Sequence, residues 1–254
     1  MNQEERLDYL IEAFKTDSVE YKTILTPTDT AGKKKLLRSL MNIRMPAPLP
    51  EEVIEVQDEY LSLRSKEIGV VRCSDIPVIK DGISIWQGDI TRLACDAIVN
   101  AANSQMLGCF VPMHTCIDNC IHTYAGIQLR EECAALMRAQ GHPEPTGQAK
   151  MTGGYNLPAK HVLHTVGPIV SGRLSDTHCK LLASCYESCL ELAAKNGINS
   201  VAFCCISTGV FGFPQREAAE IAVETVTAFQ KKHPIDVVFN VFKEADLKLY
   251  QALL

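Results

Sequence analysis

Ala97-Ile98-Val99-Asn100-Ala101-Ala102-Asn103 opens on three apolar residues and closes on two side-chain amides. The apolar start reads as a short buried strand. Asn100 and Asn103 each offer a donor and an acceptor, which suits sugar hydroxyls, and the small residues between them let a ligand come close. The same pair could instead satisfy the backbone of its own loop. On these residues alone both readings stay open.

Just downstream, Gly108-Cys109-Phe110-Val111-Pro112-Met113-His114-Thr115-Cys116-Ile117-Asp118-Asn119 gathers two thiols, an imidazole and a carboxylate into about one loop's length. Cys109, His114 and Cys116, spaced Cys-x4-His-x-Cys, offer three soft or borderline ligands, a set that favours zinc. Structural zinc takes four protein ligands, whereas catalytic zinc keeps one position for water or substrate. Three ligands with Asp118 close behind therefore point to a working metal. His114 and Cys116 would face different sides of a helix, so they converge only from an extended or irregular loop. Two competing readings remain. Cys120 as a fourth ligand would close the site and make it structural. A Cys109–His114 nucleophile dyad would need no metal, but it leaves Cys116 unexplained. His122, four positions after Asp118, reads as a packed or hydrogen-bonded histidine.

Two further loops follow expected strands. In Gln87-Gly88-Asp89-Ile90-Thr91 the Asp89 carboxylate is placed to accept from a base amino group. Composition alone favours the plainer reading, a turn that Asp89 caps. In Ser207-Thr208-Gly209-Val210-Phe211-Gly212-Phe213-Pro214, backbone amides ahead of a helix can cradle phosphate. This is neither a Walker loop nor a dinucleotide Gly-x-Gly-x-x-Gly motif. Phe211 either covers a ligand or packs in the core.

Farther out, the chain changes character near residue 70. Before it, Leu7, Leu10, Ile11 and Phe14 form one helical stripe, Leu36, Leu37, Leu40 and Met41 a second, and Val53, Ile54, Tyr60 and Leu61 a third. Asn2 with Glu5 is a possible capping box. Residues 1–70 are thus expected as a helical amino-terminal extension, serving as docking surface, lid or cap. From 71 to 254 strands alternate with helices, beginning with a hairpin turned at Asp81-Gly82. One helix is expected from Asp118 to about Gln140, a strand at His161–Val166 and a long helix at Ser175–Lys195. A strand at Ser200–Ile206, a helix at Pro214–Lys232 and a strand at Asp236–Phe242 follow. This order implies an α/β sheet with helices on both faces, and ligands bind beyond the strand carboxyl ends in such sheets.

The whole chain has 254 residues, 46% hydrophobic and 22% charged, with 25 basic against 30 acidic groups and a net charge of −5. That balance argues against a general nucleic-acid or membrane surface. Eleven cysteines, no apolar run of transmembrane length and an acidic start without a signal-peptide pattern lead to the expectation of a reduced, cytoplasmic protein. Cys185, Cys189, Cys204 and Cys205 sit in apolar runs and read as core. A monomer is expected.

Taken together, the chain resembles the macrodomain family over roughly residues 80–245. The resemblance is carried by Gly88-Asp89-Ile90-Thr91, by Ala97 to Asn103, by Gly154-Tyr155-Asn156-Leu157-Pro158 with His161 to Pro168, and by Ile206 to Pro214, four motifs in the family's order. It implies a three-layer α/β/α fold with a mixed sheet and a cleft for ADP-ribose. By the same resemblance Asp89 matches the acid that binds the adenine amino group, and Ile90 its neighbour on the base. Asn100 and Asn103 match the pair near the distal ribose. Residues 207–212 (Ser207, Thr208, Gly209, Val210, Phe211, Gly212) match the loop around the diphosphate.

Ile117-Asp118-Asn119-Cys120-Ile121-His122 is similar to a stretch of the MacroD-type hydrolases, whose catalytic aspartate Asp118 matches; Asn103 matches their catalytic-loop asparagine. Those relatives carry a glycine-rich loop where this chain has Gly108 to Cys116. The exchange looks like the zinc-dependent subgroup of microbial protein ADP-ribosyl hydrolases, in which Cys109, His114 and Cys116 would hold the zinc. The implied activity is removal of mono-ADP-ribose from modified protein side chains, with a lipoyl carrier protein as a possible substrate. The alternatives are a non-hydrolytic ADP-ribose reader with a structural zinc and an O-acetyl-ADP-ribose deacetylase.

Overall fold

The computed structural model describes residues 1–254. The amino-terminal part forms four helices: α1 (Gln3–Lys15), α2 (Val19–Lys22), α3 (Thr30–Ile43) and α4 (Glu51–Ile68). Asn2 and Glu5 cap α1 reciprocally. Leu7, Leu10, Ile11 and Phe14 meet Leu37, Leu40 and Met41 and then Val53, Val56, Tyr60 and Leu61 in a separate small core. Ile127 reaches into that core from the α/β unit and joins the two parts. These faces are the expected stripes, since leucines three and four apart share one side of a helix, except that Val56 rather than Ile54 enters the core from α4 and Leu36 packs at its margin.

The α/β unit runs β1 (Val71–Arg72), β2 (Val78–Lys80), β3 (Ile83–Gln87), β4 (Leu93–Ala94), β5 (Ala97–Ala102), α5 (Ile117–Ala125), α6 (Ile127–Gln140), β6 (Ala149–Gly153) and β7 (His161–Val166). It continues with α7 (Asp176–Lys195), β8 (Ser200–Phe203), α8 (Gln215–Gln230), β9 (Asp236–Val241) and α9 (Glu244–Leu253). Seven strands make one mixed sheet in the order β2-β3-β9-β8-β5-β7-β6. The inner five are parallel, and β2 and β6 lie antiparallel on the edges. Helices flank the sheet over a core that includes Ile98, Val99, Leu163, Phe203 and Phe239. Asp81 and Gly82 both have positive φ (46° and 76°), the two-residue hairpin turn their sequence suggests.

Three features depart from the sequence reading. The helix expected from Asp118 to Gln140 is two helices, because Gly126 takes φ 100° between α5 and α6. A Cβ there would meet Gln57 Nε2 at 2.7 Å, so packing from α4 also holds the break. The strand at Ser200 stops at Phe203, and β6 was not foreseen. Cys73 and Cys95 face each other with Cα atoms 5.4 Å apart, within the spacing of a disulfide pair. Cys185, Cys189 and Cys204 are free and buried as anticipated, while Cys205 is half-buried.

The site follows from the topology. β5 pairs with β7 along all of its length but with β8 only at Ala97 and Ile98. Beyond Ile98 the two strands part. The chain leaves β5 for β6 and β7 on one side and leaves β8 for β9 on the other, and the crevice at the carboxyl ends of such strands is where ligands bind.

Candidate active site

Asp118 enters this crevice from the first turn of α5 and is almost fully buried. Its Oδ1 accepts from Asn100 Nδ2 at 2.9 Å, and its Oδ2 accepts from Asn103 Nδ2 at 3.2 Å. Burial raises its pKa to about 6, against the lowering effect of Asn100, Arg130 and Asn103. A carboxylate so tuned exchanges a proton near neutral pH.

The two amides do different work. Asn100 is completely buried. Its Nδ2 also donates to His164 Nδ1 at 3.1 Å. The imidazole therefore keeps its proton on Nε2, which faces Thr152 Oγ1 at 2.9 Å. Asn100 thus holds Asp118 from beneath. Asn103 is half-buried and bridges Asp118 to the Gly108 carbonyl at 3.0 Å, which ties the acid to the start of the cysteine loop.

That loop is irregular, as two ligands two residues apart require, with Met113 at φ 59°. The ligand atoms of Cys109, His114 and Cys116 all lie within 4.8 Å of one another. A tetrahedral zinc with sulfur at 2.3 Å and nitrogen at 2.0–2.1 Å sets those two ligands about 3.6 Å apart. Cys109 Sγ and His114 Nδ1 stand 3.6 Å apart, so the donor set fits that ion. Cys116 also caps α5, its Sγ accepting from Asn119 N–H at 3.4 Å. Burial pushes the Cys116 thiol up to about 12, with Cys109 and Asp118 adding to the shift. Cys120 stands outside the trio and turns its sulfur to Arg38 Nη2 at 3.6 Å. A second trio, His122, Cys133 and His164, is wholly buried, and both His164 nitrogens are already engaged.

The other expected contacts lie at the carboxyl end of the same sheet. Asp89 follows β3 and is half-buried. Its Oδ1 accepts from Thr91 N–H and Oγ1–H at 3.0 and 2.7 Å, the capped turn of the plainer reading, while Oδ2 makes no hydrogen bond. Ile90, the next residue, is buried in the main core. After β8, the Ser207–Gly212 loop pairs only Thr208 and Gly212 through their own N–H groups. The N–H groups of Ser207, Gly209, Val210 and Phe211 meet no acceptor in the chain. Ser207 sits at φ 64°, with its buried hydroxyl unpartnered. Phe211 is half-buried and Val210 is 83% exposed. Four backbone amides without an acceptor in the chain are the kind of array that can receive an anion.

Sequence reasoning missed Asn119. It is fully buried, and its Nδ2 donates to the Cys109 and Val111 carbonyls at 3.1 and 3.0 Å. An amide beside the acid on a helix due for burial was the available signal.

The Macro domain family profile matches residues 99–222. A "Protein-ADP-ribose hydrolase" of Treponema medium is 53% identical over 100% of both chains. A relative of the same description from Staphylococcus aureus (strain MRSA252) is 49% identical over 97% of this chain and 94% of its own. Among solved structures, a Trypanosoma brucei macrodomain in complex with ADP-ribose superposes with a TM-score of 0.67 at 32% identity, covering 85% of this chain and 94% of that one. A mutant Oceanobacillus iheyensis macrodomain with ADPR gives 0.63 at 37% identity, covering 70% and 95%. Full-length identity of this order, together with the fold and the profile match, shows that the chain belongs to the macro domain family.

Proposed function

We propose that this chain is a zinc-dependent hydrolase that removes mono-ADP-ribose from modified protein side chains. One observation carries the reading: a buried carboxylate, Asp118, is held by two amides at the switch point of the sheet and tied through Asn103 to a loop of three converging metal ligands. The relatives' description as protein-ADP-ribose hydrolases and the ADP-ribose complexes of the solved macrodomains support the substrate.

In this reading the free Asp89 Oδ2 accepts from the adenine amino group. The unpaired amides of Ser207, Gly209, Val210 and Phe211 take the diphosphate, and the distal ribose reaches Asn103. The bond broken joins the ribose anomeric carbon to the acceptor side chain, through an oxocarbenium-like state. Asp118, with its pKa near neutrality, orients the attacking water and accepts its proton. Asn100 holds the acid, and Asn103 fixes it against the sugar. Cys109, His114 and Cys116 would hold the zinc, with proton release from the thiols. When bound, zinc supplies a Lewis acid for a ribose hydroxyl or water. A silent reader with a four-ligand structural zinc is less well supported, because Cys120 is committed to Arg38.

The experiment is ADP-ribose release from a modified protein, a lipoyl carrier protein being the first to try. Chelation or Cys116→Ala should abolish turnover while ADP-ribose binding survives, since adenine and diphosphate contacts lie on other loops. Full turnover by chelated protein would overturn the zinc dependence. Unmodified binding without any turnover, metal present, would leave a reader.

A further inference from the structure

The cysteine–histidine loop is held from outside by five side chains, and two of them come from the helical extension. Arg38 of α3 donates through Nη2 to the His114 carbonyl at 2.7 Å, to Asn119 Oδ1 at 2.9 Å and to Cys120 Sγ at 3.6 Å. Asn42, one turn on and 1% exposed, accepts from Met113 N–H at 3.0 Å and donates to Thr123 Oγ1 at 2.8 Å. The other three tethers are Asn103 on the Gly108 carbonyl, Asn119 on the Cys109 and Val111 carbonyls, and Arg130, whose guanidinium lies 4.4 Å from the Phe110 ring centroid. Arg130 is itself seated on the extension, since its Nη1 donates to the carbonyls of Met41, Asn42 and Arg44 at the end of α3.

The two α3 contacts bracket a single stretch of backbone. The Met113 amide and the His114 carbonyl stand on either side of the residues that aim the imidazole. Met113 has φ 59°, a conformation that residues with a side chain seldom keep unless the surroundings impose it. Outside partners are needed here, because the loop's own hydrogen bonds near His114 are few: His114 N–H to the Val111 carbonyl and Cys116 N–H to His114 Nδ1.

We propose that Arg38 and Asn42 are positioning residues for the metal ligands: α3 fixes His114 so that its Nδ1 faces Cys109 Sγ, and the helical extension is a working part of the zinc site. The proposal rests on the reading that Cys109, His114 and Cys116 hold zinc. It replaces a passive cap with a specific role. Groups of this kind, which orient ligands without touching the metal, typically change metal affinity by 10- to 100-fold.

The test uses the full chain as Arg38→Ala, Asn42→Ala and a control, Asp58→Ala. Asp58 ties α4 to Gln128 and Asn156, away from the loop. Zinc affinity is read by competition with a chromophoric chelator, and ligand geometry by the absorption of the cobalt-substituted protein. Arg38→Ala and Asn42→Ala should weaken zinc binding roughly 10- to 100-fold and shift the cobalt bands. ADP-ribose affinity of the metal-free protein should stay unchanged, and Asp58→Ala should bind zinc as the parent does. Should Arg38→Ala not fold, Arg38→Met keeps the apolar stem and removes only the donors. Parental zinc affinity and cobalt spectrum in both α3 variants would overturn the proposal, as would equal weakening by Asp58→Ala. A parent chain that binds neither zinc nor cobalt would instead overturn the metal reading beneath it.

Discussion

The loops that follow β5 and β8 border the same crevice but are built in opposite ways. The first is closed by side chains packed around it. Asn103, Asn119, Arg38 and Asn42 engage its backbone, and Asp118 spends both oxygens on amides. The second is open: four N–H groups lack acceptors and Val210 stands in solvent. A hydrogen-bonded and buried arrangement is rigid before any ligand arrives, whereas an open array of amides gains its partners from the ligand. Damage to the first loop should therefore appear in turnover and metal binding, and damage to the second in affinity alone.

The largest effect falls on Asp118. Asp118→Ala should lower ADP-ribose release about 10²- to 10⁴-fold, the range of general acid–base catalysis. ADP-ribose affinity by calorimetry should move only a few-fold, because the adenine and diphosphate contacts are elsewhere. Single-turnover kinetics within tenfold of the parent would break the division of labour between the two loops.

Much of this was readable in advance, and for a physical reason. Cys109, His114, Cys116 and Asp118 are close in sequence, so spacing alone implies an irregular loop that converges them. The Asp81-Gly82 turn and the alternating strands are local signals as well. What escaped was set by distant partners. Arg38 meets His114 across 76 residues and Asn42 meets Thr123 across 81, and no period or motif records such pairings. Gly126 breaks a helix that its neighbours would continue, under packing from Gln57. Asn100 resembles a ligand-facing amide, yet β5 directs it inward to Asp118 and His164. Strand alternation decides such a side, and an apolar run of three residues is too short to show it.

Acid offers a second way to separate the loops. Burial pushes the His164 pKa down to about 3, and His122 is also lowered by burial. An unfolded histidine titrates near 6.5. As pH falls below that value the unfolded chain binds the proton first, so stability drops steadily until the pH approaches 3. At pH 5 the His164 contribution is a loss of about 2 kcal/mol relative to neutral pH. Asp118, raised by burial, works in the opposite sense. Comparing urea midpoints at pH 7 and pH 5 for the parent and for His164→Gln isolates the imidazole. The parent should lose about 2 kcal/mol more than the variant. Equal losses would mean that Asn100 does not depend on a neutral His164.

The smallest effect tests the open loop by itself. Gly167 follows β7, and a Cβ there would lie 2.1 Å from Ser207 Oγ and 2.8 Å from Ile206 Cγ2. Ser207 has little room to retreat: it is buried, sits at φ 64° and accepts from Phe213 N–H at 3.0 Å. The added methyl of Gly167→Ala must therefore shift the start of the amide array. Overpacking of this kind costs about 1–3 kcal/mol. Where about 1.4 kcal/mol of that falls on the bound geometry, the Kd for ADP-ribose rises roughly tenfold. Zinc affinity should not change, since none of the three ligands touches this loop. Ser207→Gly relieves the collision twice over, by removing the hydroxyl and by suiting the positive φ. The double variant Gly167→Ala/Ser207→Gly should accordingly bind ADP-ribose more tightly than Gly167→Ala alone, a coupling that calorimetry reads as a double-mutant cycle. Additive losses would show that the Gly167 methyl does not act through Ser207, and a fall in zinc affinity with Gly167→Ala would show that the two loops move as one body and that their separate construction carries no separate function.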